Sequence, residues 1–560
     1  MGTEYLDNAQ LEGLRREAAE AHKLILEYMK IVQVANHSAM KPLVVAVEQE
    51  HVEASKPVSI HYTVDGESYE KEFDAVLVAC QPAQLDGAME FTDREKASFD
   101  KLEFSWFFTT LVRANKPATP EAQRFSEVMS WSAALTGNIQ NCREEFNARN
   151  PGPYIPDEVK KTYYTVYQQR KALFAFENVE QVQADLEQIR DATLSDEGNA
   201  FFLQDAEYVG SSLMASYFPH FNANDIEHLW NMYNLQGLNN TFYISSAMCF
   251  ESILHVYEYG RSIFEKVRRT ISPDKKIAII GAGPAGLLWA SLFLKEYADV
   301  TIFEKSNRYG GNTRTERHRL SDGTEVVCEL GACYLSAKYA QMLQDFKEAG
   351  LFKGNREVLM GKYPREDNED ADESVFGRYN TKSSQLEWRM VVQDGIGQEY
   401  KAFTEPILSF ESVHRYKELH EKIMGHVRPI PRSWDTIPPE YRADLRLTFV
   451  EFLEKHGFSM MINPLLYAYQ HQGYGKLTEI PALYGLIWVT PEAFFGILSS
   501  GFLRRPFHVF CLKDGWIRIW DNAVQISKDR VAIELNAQVK KIVRRGKNEM
   551  KKIDDFGEEK

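Results

Sequence analysis

The sequence predicts an α/β fold, on three observations between Lys275 and Ala332. Ile277 to Ile280 is a short unbroken apolar run, the pattern of a parallel strand buried on both faces. Gly281, Gly283 and Gly286 follow at once in G-x-G-x-x-G spacing, with Ala282, Pro284 and Ala285 between them. Leu287 to Tyr297 then reads as a helix, and Val300 to Phe303 as a second strand with Glu304 at its end. Each residue type has a physical job in a Rossmann-like unit that binds a dinucleotide. Gly281 permits the tight turn, Gly283 lets a pyrophosphate approach bare backbone, and Gly286 lets the helix pack close on the sheet. Pro284 opens a helix without wasting an N–H, and the helix N-terminus faces the phosphate charge. Glu304, 18 residues beyond Gly286, is placed to accept hydrogen bonds from a ribose hydroxyl. The alternative is a glycine-rich turn with no ligand; strand, turn, helix, strand and acid in order weigh against it.

A chain of 560 residues can build two or more cores. Its 44% hydrophobic and 26% charged residues are those of an ordinary globular protein. A net charge of −15 weighs against nucleic acid and anionic membrane as partners. The six cysteines show no C-x-x-C or zinc spacing, so reduced, mostly buried thiols and no metal site are expected. The first residues are too polar for a signal peptide. Leu6 stands where myristoylation needs Ser or Thr, and no run approaches the roughly 18 apolar residues of a membrane span. A cytoplasmic protein is expected.

In chain order, residues 8 to 33 carry apolar positions at helical spacing and read as an amphipathic helix. Leu43 to Val47, Val58 to Val64 and Tyr69 to Phe73 alternate with period two, and Asp65-Gly66 is the turn of a hairpin. Ala75 to Cys80 is a buried strand that Pro82 ends. Between residues 85 and 235, Phe104–Val112, Lys161–Tyr167 and Ala172–Phe176 read as strands, and Val179–Asp191 and Asn224–Tyr233 as helices. His220 lies in the aromatic turn Tyr217–Phe221, where a structural hydrogen bond is a better reading than catalysis. Strand, small-residue turn and helix follow from Asn239 to about Val267, and Ile271–Lys275 is a polar connector. Pro364–Glu373 is an acidic, solvated loop. Residues 400 to 500 are largely helical, Ile533–Val543 is a strand pair, and 546–560 is a charged, disordered tail.

Several of these stretches resemble the flavin-dependent amine oxidase superfamily. Gly310-Gly311, with Asn312, Thr313, Arg314 and Thr315 behind them, is similar to its second glycine pair, which runs beside the FAD pyrophosphate with an arginine close by. Asn312 stands where the family often has Arg, leaving Arg314 as the substitute. Glu329-Leu330-Gly331-Ala332 resembles its flavin-proximal E-L-G-A segment, and Phe73–Pro82 its YDAVIVACPP strand. Asn239–Ser246, followed by Phe250–Ile253 and the helix to about Val267, resembles the last FAD-contacting segment, with Ser245-Ser246 in place of Gly and an acid. Gln472–Tyr484 resembles the cap helices of a branch near β-cyclopiazonate dehydrogenase, and Asp514-Gly515-Trp516 the turn from cap to flavin domain.

The resemblance implies non-covalent FAD, since no Cys has the context of the covalently flavinylated members. The cofactor-binding positions it implies, with the glycine turn, are Gly281 to Gly286, Glu304, Lys305, Gly310, Gly311, Asn312, Arg314, Gly331, Ala332, Ser245, Ser246 and the backbone of Val539. It implies hydride transfer from an amine or related apolar or aromatic small molecule, with dioxygen as a candidate acceptor, and it singles out no catalytic residue. It also implies an inverted order: residues 40 to 268 match the family's second half and 275 to 545 its first, as a circular permutation or fused tandem copies would produce. The expected FAD-binding domain is discontinuous (40–84, 236–370 and 512–545), and the expected substrate or cap domain takes 85–235 and 371–511. Ser245-Ser246, Asn312 and the inverted order motivate a second reading, a flavin-fold scaffold that binds FAD weakly or not at all. An NAD(P)-dependent reductase is disfavoured by Gly310-Gly311 and by Glu304, which would repel a 2′-phosphate.

Overall fold

The computed structural model describes residues 57–115, 127–130, 133–147, 161–172, 178–199, 201–352 without 322 and 324, 358–360, 391–393, 410–425, 433–494 without 463–464 and 466–468, and 509–544. The expected helix at 8–33, the strand at 43–47, the acidic loop at 364–373, the tail and all of 172–176 but Ala172 lie outside these residues. A five-stranded sheet runs in the order Thr241–Tyr243, Ala75–Val78, Lys276–Ile280, Asp299–Phe303 and Val531–Glu534, every neighbour parallel. Ala75 to Val78 and Ile277 to Ile280 are buried throughout, as unbroken apolar runs in a parallel sheet must be. The ladder continues past the strand ends: Ile244 N–H donates to the Val78 carbonyl, Ala79 to Ile280 and Gly281 to Phe303. Four carboxyl ends are thereby aligned along one rim.

These strands come from both sides of the connector at residues 271–275, and they alternate within one sheet. The two halves of the described chain are therefore one body. A second sheet repeats the arrangement. Val58–Val64 and Glu67–Phe73 form the expected hairpin, with Asp65 at φ 50° and Gly66 at φ 89°, the two positive values a tight two-residue turn requires. The other edge of Val58–Val64 is taken by Gln538–Arg544, antiparallel, with Tyr62 opposite Val539.

One buried cluster fastens that late strand. Arg544 donates to both oxygens of Glu95, at 2.6 and 2.9 Å, and the Tyr243 hydroxyl donates to the same carboxylate at 2.5 Å. Glu95 is fully buried, and it also closes a capping box with Thr92 at the start of the helix Asp93–Phe99. Burial alone would raise its pKa, but Arg544, Tyr243 and the Thr92 N–H together hold it below the ordinary value.

A six-stranded sheet lies in the order Val391–Gln393, Glu127–Ser130, Thr136–Glu144, Lys161–Lys171, Leu102–Asn115 and Glu207–Phe221. Trp106 and Phe108 on one face meet Val182 and Leu186 of the helix Val179–Ser195. Two expectations need correction. Tyr217–Phe221 is no turn but the end of the strand Glu207–Phe221. Ser216 and Phe218 turn to positive φ there, and the register with Leu102–Asn115 shifts. The helix expected at Leu287–Tyr297 starts at Pro284 and widens after Leu288, with Leu294 N–H reaching the Trp289 carbonyl. The wide turn lays Phe293 on Gly260 of the helix Ile253–Thr270, where a Cβ would stand only 2.5 Å from the ring.

The Glu95 cluster yields a stability prediction. Arg544→Ala strands a buried carboxylate and should cost about 3–5 kcal/mol in urea unfolding, with one cooperative transition retained. A loss under about 1 kcal/mol, or two separate transitions, would contradict one body closed by the late strand.

Candidate functional site

The rim of the parallel sheet gathers the glycine turn. Gly281 has φ 107°, and a Cβ there would meet the Cys80 backbone nitrogen at 3.4 Å. Gly286 packs onto the turn so tightly that its Cβ would sit 2.1 Å from the Gly281 carbonyl oxygen. Ala282 and Ala285 are buried, whereas Gly283 and Pro284 are half-exposed. Glu304 closes the turn from the neighbouring strand: one carboxylate oxygen accepts the Ala282 N–H at 2.8 Å, the other the Ser306 N–H at 2.9 Å. Its remaining lone pairs can still accept from a ribose. Asn536 and Ala537 donate to the Ser306 and Glu304 carbonyls, which sets Val539 two residues beyond this contact. Lys305 is exposed, next to Glu304.

The second glycine pair lies against the first turn. A Cβ on Gly311 would stand 2.9 Å from Gly283 Cα, and Gly310 N–H donates to the Ala282 carbonyl. Gly331 in turn lies against Asn312, where a Cβ would be 1.9 Å from the carbonyl oxygen, and Leu330 N–H donates to the Arg314 carbonyl. Three segments far apart in sequence thus touch through bare backbone. Arg314 is already engaged, donating to the Ser211 carbonyl and pairing with Glu316 at 2.6 Å. The cation that shapes this loop is Arg308, which the sequence reading missed. It donates to the Tyr309, Gly311 and Thr313 carbonyls, and burial and Arg314 lower its pKa.

Ser245 and Ser246 stand on the same rim, just past Thr241–Tyr243. Ser246 Oγ accepts from Gln81 Nε2 at 2.7 Å and donates to Glu251 at 2.6 Å; the other Glu251 oxygen accepts from Asn312 Nδ2 at 3.2 Å. Gln81 and Glu251 had no role in the sequence reading. The available signals were an amide just past a buried strand and an acid inside an apolar turn. Ser245 Oγ and Gln81 Oε1 are buried and make no hydrogen bond among the described residues. Such orphans are costly unless a ligand completes them, so the rim fits a polar dinucleotide.

Glu329 begins the E-L-G-A segment and is buried. It accepts from the Trp516 N–H at 2.7 Å and the Thr315 hydroxyl at 2.9 Å, and burial pushes its carboxyl up to about 8. Gly515 admits it, since a Cβ there would clash with Thr315 and approach Glu329. Nearby, buried Arg143 pairs with Glu145 at 2.5 Å and donates to Cys333 Sγ at 2.6 Å and to the Glu329 carbonyl. Arg143 and Glu145, two apart along extended chain, share a face, a signal that could have found them. Among the described residues Cys80, Cys142, Cys249, Cys328 and Cys333 form no disulfide. His220 lies with Nδ1 2.9 Å from the Phe218 carbonyl and its ring stacked on Phe218; burial lowers its pKa.

The model of a family of NAD(P)-binding Rossmann-like domains matches residues 279–349, which cover the glycine turn, the second glycine pair and the E-L-G-A segment. The fold is thus α/β, with a parallel sheet carrying a Rossmann-like unit. No curated protein matches the chain. Among solved structures, putrescine oxidase with putrescine bound is 16% identical over 46% of this chain and 50% of its own, with a TM-score of 0.30. A CLA-producing fatty acid isomerase from P. acnes is 17% identical over 35% of this chain and 44% of its own, with a TM-score of 0.22. The chain spans about half the length of either structure it matches. Among the described residues no helix is long and apolar enough to cross a membrane.

Two outcomes follow from this geometry. Gly331→Ala should destabilise the protein by about 1–3 kcal/mol in denaturant unfolding, because its Cβ meets backbone that cannot swing aside; an unchanged midpoint would refute the contact. Glu329 gains a proton relative to the unfolded chain at pH values between the ordinary carboxylate range and about 8. Its stabilisation is therefore complete in acid and lost as pH rises towards 8, by about 1.4 kcal/mol per pH unit. Glu329→Gln should remove that slope, since its amide can donate to Thr315 as the neutral carboxyl would. Equal slopes in parallel urea titrations would contradict it.

Proposed function

We propose that the chain is an FAD-dependent oxidoreductase of the amine-oxidase type, with non-covalent FAD. The observation that carries the reading is the contact of Gly283 with Gly311 and of Asn312 with Gly331. These belong to the three segments whose likeness to flavin amine oxidases implies FAD, and a plain NAD unit has no use for the second and third. In this reading Gly281 to Gly286 and Gly310-Gly311 border the pyrophosphate, Glu304 takes the ribose, and Gln81 and Ser245 supply the orphaned polar atoms. When bound, the flavin would accept a hydride from a carbon next to nitrogen, or from a carbon–carbon pair.

The chain's own contribution is orientation and exclusion of water. Phe107 stacks on Tyr217 at 4.7 Å, and Tyr474 meets Phe250 at 4.8 Å and Phe218 at 5.7 Å. This aromatic wall suits an apolar or aromatic amine. The inverted order of the halves belongs to the same reading: a permuted amine oxidase would keep the sheet and move only its ends. The scaffold reading is favoured by one observation, that Arg314 is already paired with Glu316.

The test is an absorbance spectrum of the purified full-length chain, before and after heat release. Flavin bands, with FAD released near one per chain, are expected; peroxide formation across an amine panel would then identify substrates. A colourless protein that takes up no added FAD would sink the reading.

A further inference from the structure

Glu251 is a carboxyl whose hydrogen-bond partners among the described residues are all neutral. They are the Ser246 hydroxyl, the Asn312 side-chain amide and the Phe218 backbone N–H. The basic residues nearest in sequence to Asn312 point elsewhere: Arg308 is committed to the carbonyls of its own loop, and Arg314 to Ser211 and Glu316. Among the described residues, the other titratable groups that interact with Glu251 are Tyr217 from the strand Glu207–Phe221, Tyr474, and Cys249 from its own turn, which burial keeps in the neutral form. Burial likewise raises the Glu251 carboxyl above its ordinary value.

Glu251 also stands beside the turns to which the FAD reading gives the pyrophosphate. Asn312, which it holds, follows Gly311, and Gly311 lies against Gly283. Ser246, which it also holds, is bonded to Gln81, whose Oε1 is orphaned, and follows Ser245, whose hydroxyl is orphaned. Among the described residues no cation is hydrogen-bonded or ion-paired to Glu251, so a pyrophosphate here and an ionised carboxylate would repel.

We infer that Glu251 is a positioning carboxyl that must carry a proton when the dinucleotide is bound, so that binding takes up one proton from solvent. Protonated, it still bridges the two flanks of the site: one oxygen accepts from Asn312, and the other donates its O–H to Ser246. The inference rests on the FAD reading above and adds a property of this chain's own residues to it.

The test is FAD titration of the deflavinated full-length chain, followed by flavin fluorescence from about pH 5.5 to about 8.5. For the wild type, Kd should rise tenfold per pH unit once Glu251 ionises in the free protein. Calorimetry in two buffers of different ionisation heat should count close to one proton taken up at the alkaline end. Glu251→Gln, neutral at every pH and able to make the same two hydrogen bonds, should bind FAD with a flat profile and more tightly than wild type at the alkaline end. Glu329→Gln should keep the wild-type slope, which separates the two carboxyls even if Glu251→Gln does not fold.

A slope shared by wild type and Glu251→Gln, or lost in Glu329→Gln, overturns the inference. So does a Glu251→Gln chain that melts like wild type yet binds no FAD at any pH, because the ionised form would then be the one required. Wild type that binds FAD independently of pH overturns the inference and leaves the FAD reading standing. Wild type that binds no FAD at any pH overturns both.

Discussion

The structure depends on the backbone ladder around Lys276–Ile280. That strand has a parallel partner on each side, Ala75–Val78 and Asp299–Phe303, in register over four and five residues. Parallel pairing needs long crossovers, so the chain can bring in strands from distant parts of its length. Thr241–Tyr243 and Val531–Glu534 complete the sheet, and the glycine turn, Glu304 and Ser245-Ser246 follow its strand ends, while Glu329–Ala332 comes from a separate antiparallel sheet. Ligands of open α/β sheets bind at that rim, where strand order reverses and neighbouring loops part.

Upon this ladder the site is assembled largely by absence of side chains. A methyl group on Gly311 would collide with the backbone of Gly283, and one on Gly331 with the backbone of Asn312. Such contacts need no specific partner chemistry, but they tolerate only glycine at 311 and 331. Polar contacts then adjust the assembly: Glu304 ties the first turn, Arg308 the second, and Glu251 bridges Asn312 to Ser246. The chain commits several cations and carboxylates to its own loops, and this makes the charge state of the remaining acids matter to any anionic ligand.

The late strand Gln538–Arg544 shows how a distant end becomes part of the same body. Its ladder with Val58–Val64 is backbone pairing at an edge, and Arg544 adds a buried ion pair with Glu95. Buried pairs contribute little net stability when intact, yet breaking one is expensive. The pair therefore serves better as a register lock than as a source of stability. Its third member, Tyr243, belongs to the edge strand of the parallel sheet, so the lock joins both sheets.

The strand–turn–helix–strand unit, the hairpin at Asp65-Gly66 and the buried strand at residues 75–78 were legible in the sequence because each is local. Apolar runs, glycine spacing and turn chemistry act over a few residues, and the structure retains them. The candidate site was legible only as separate pieces. That Gly311 meets Gly283, that Gly331 meets Asn312, and that Glu251 reaches both Ser246 and Asn312 depend on long-range packing, which leaves no periodic trace in the chain. The same holds for Arg314, whose place in the sequence suggested a phosphate partner and whose fold neighbour is Glu316. Local propensity thus determined the elements and the kind of ligand their turn can hold. Only the tertiary structure decided which segments share a wall and which charges are already taken, because burial and pairing are properties of neighbours brought together by the sheet.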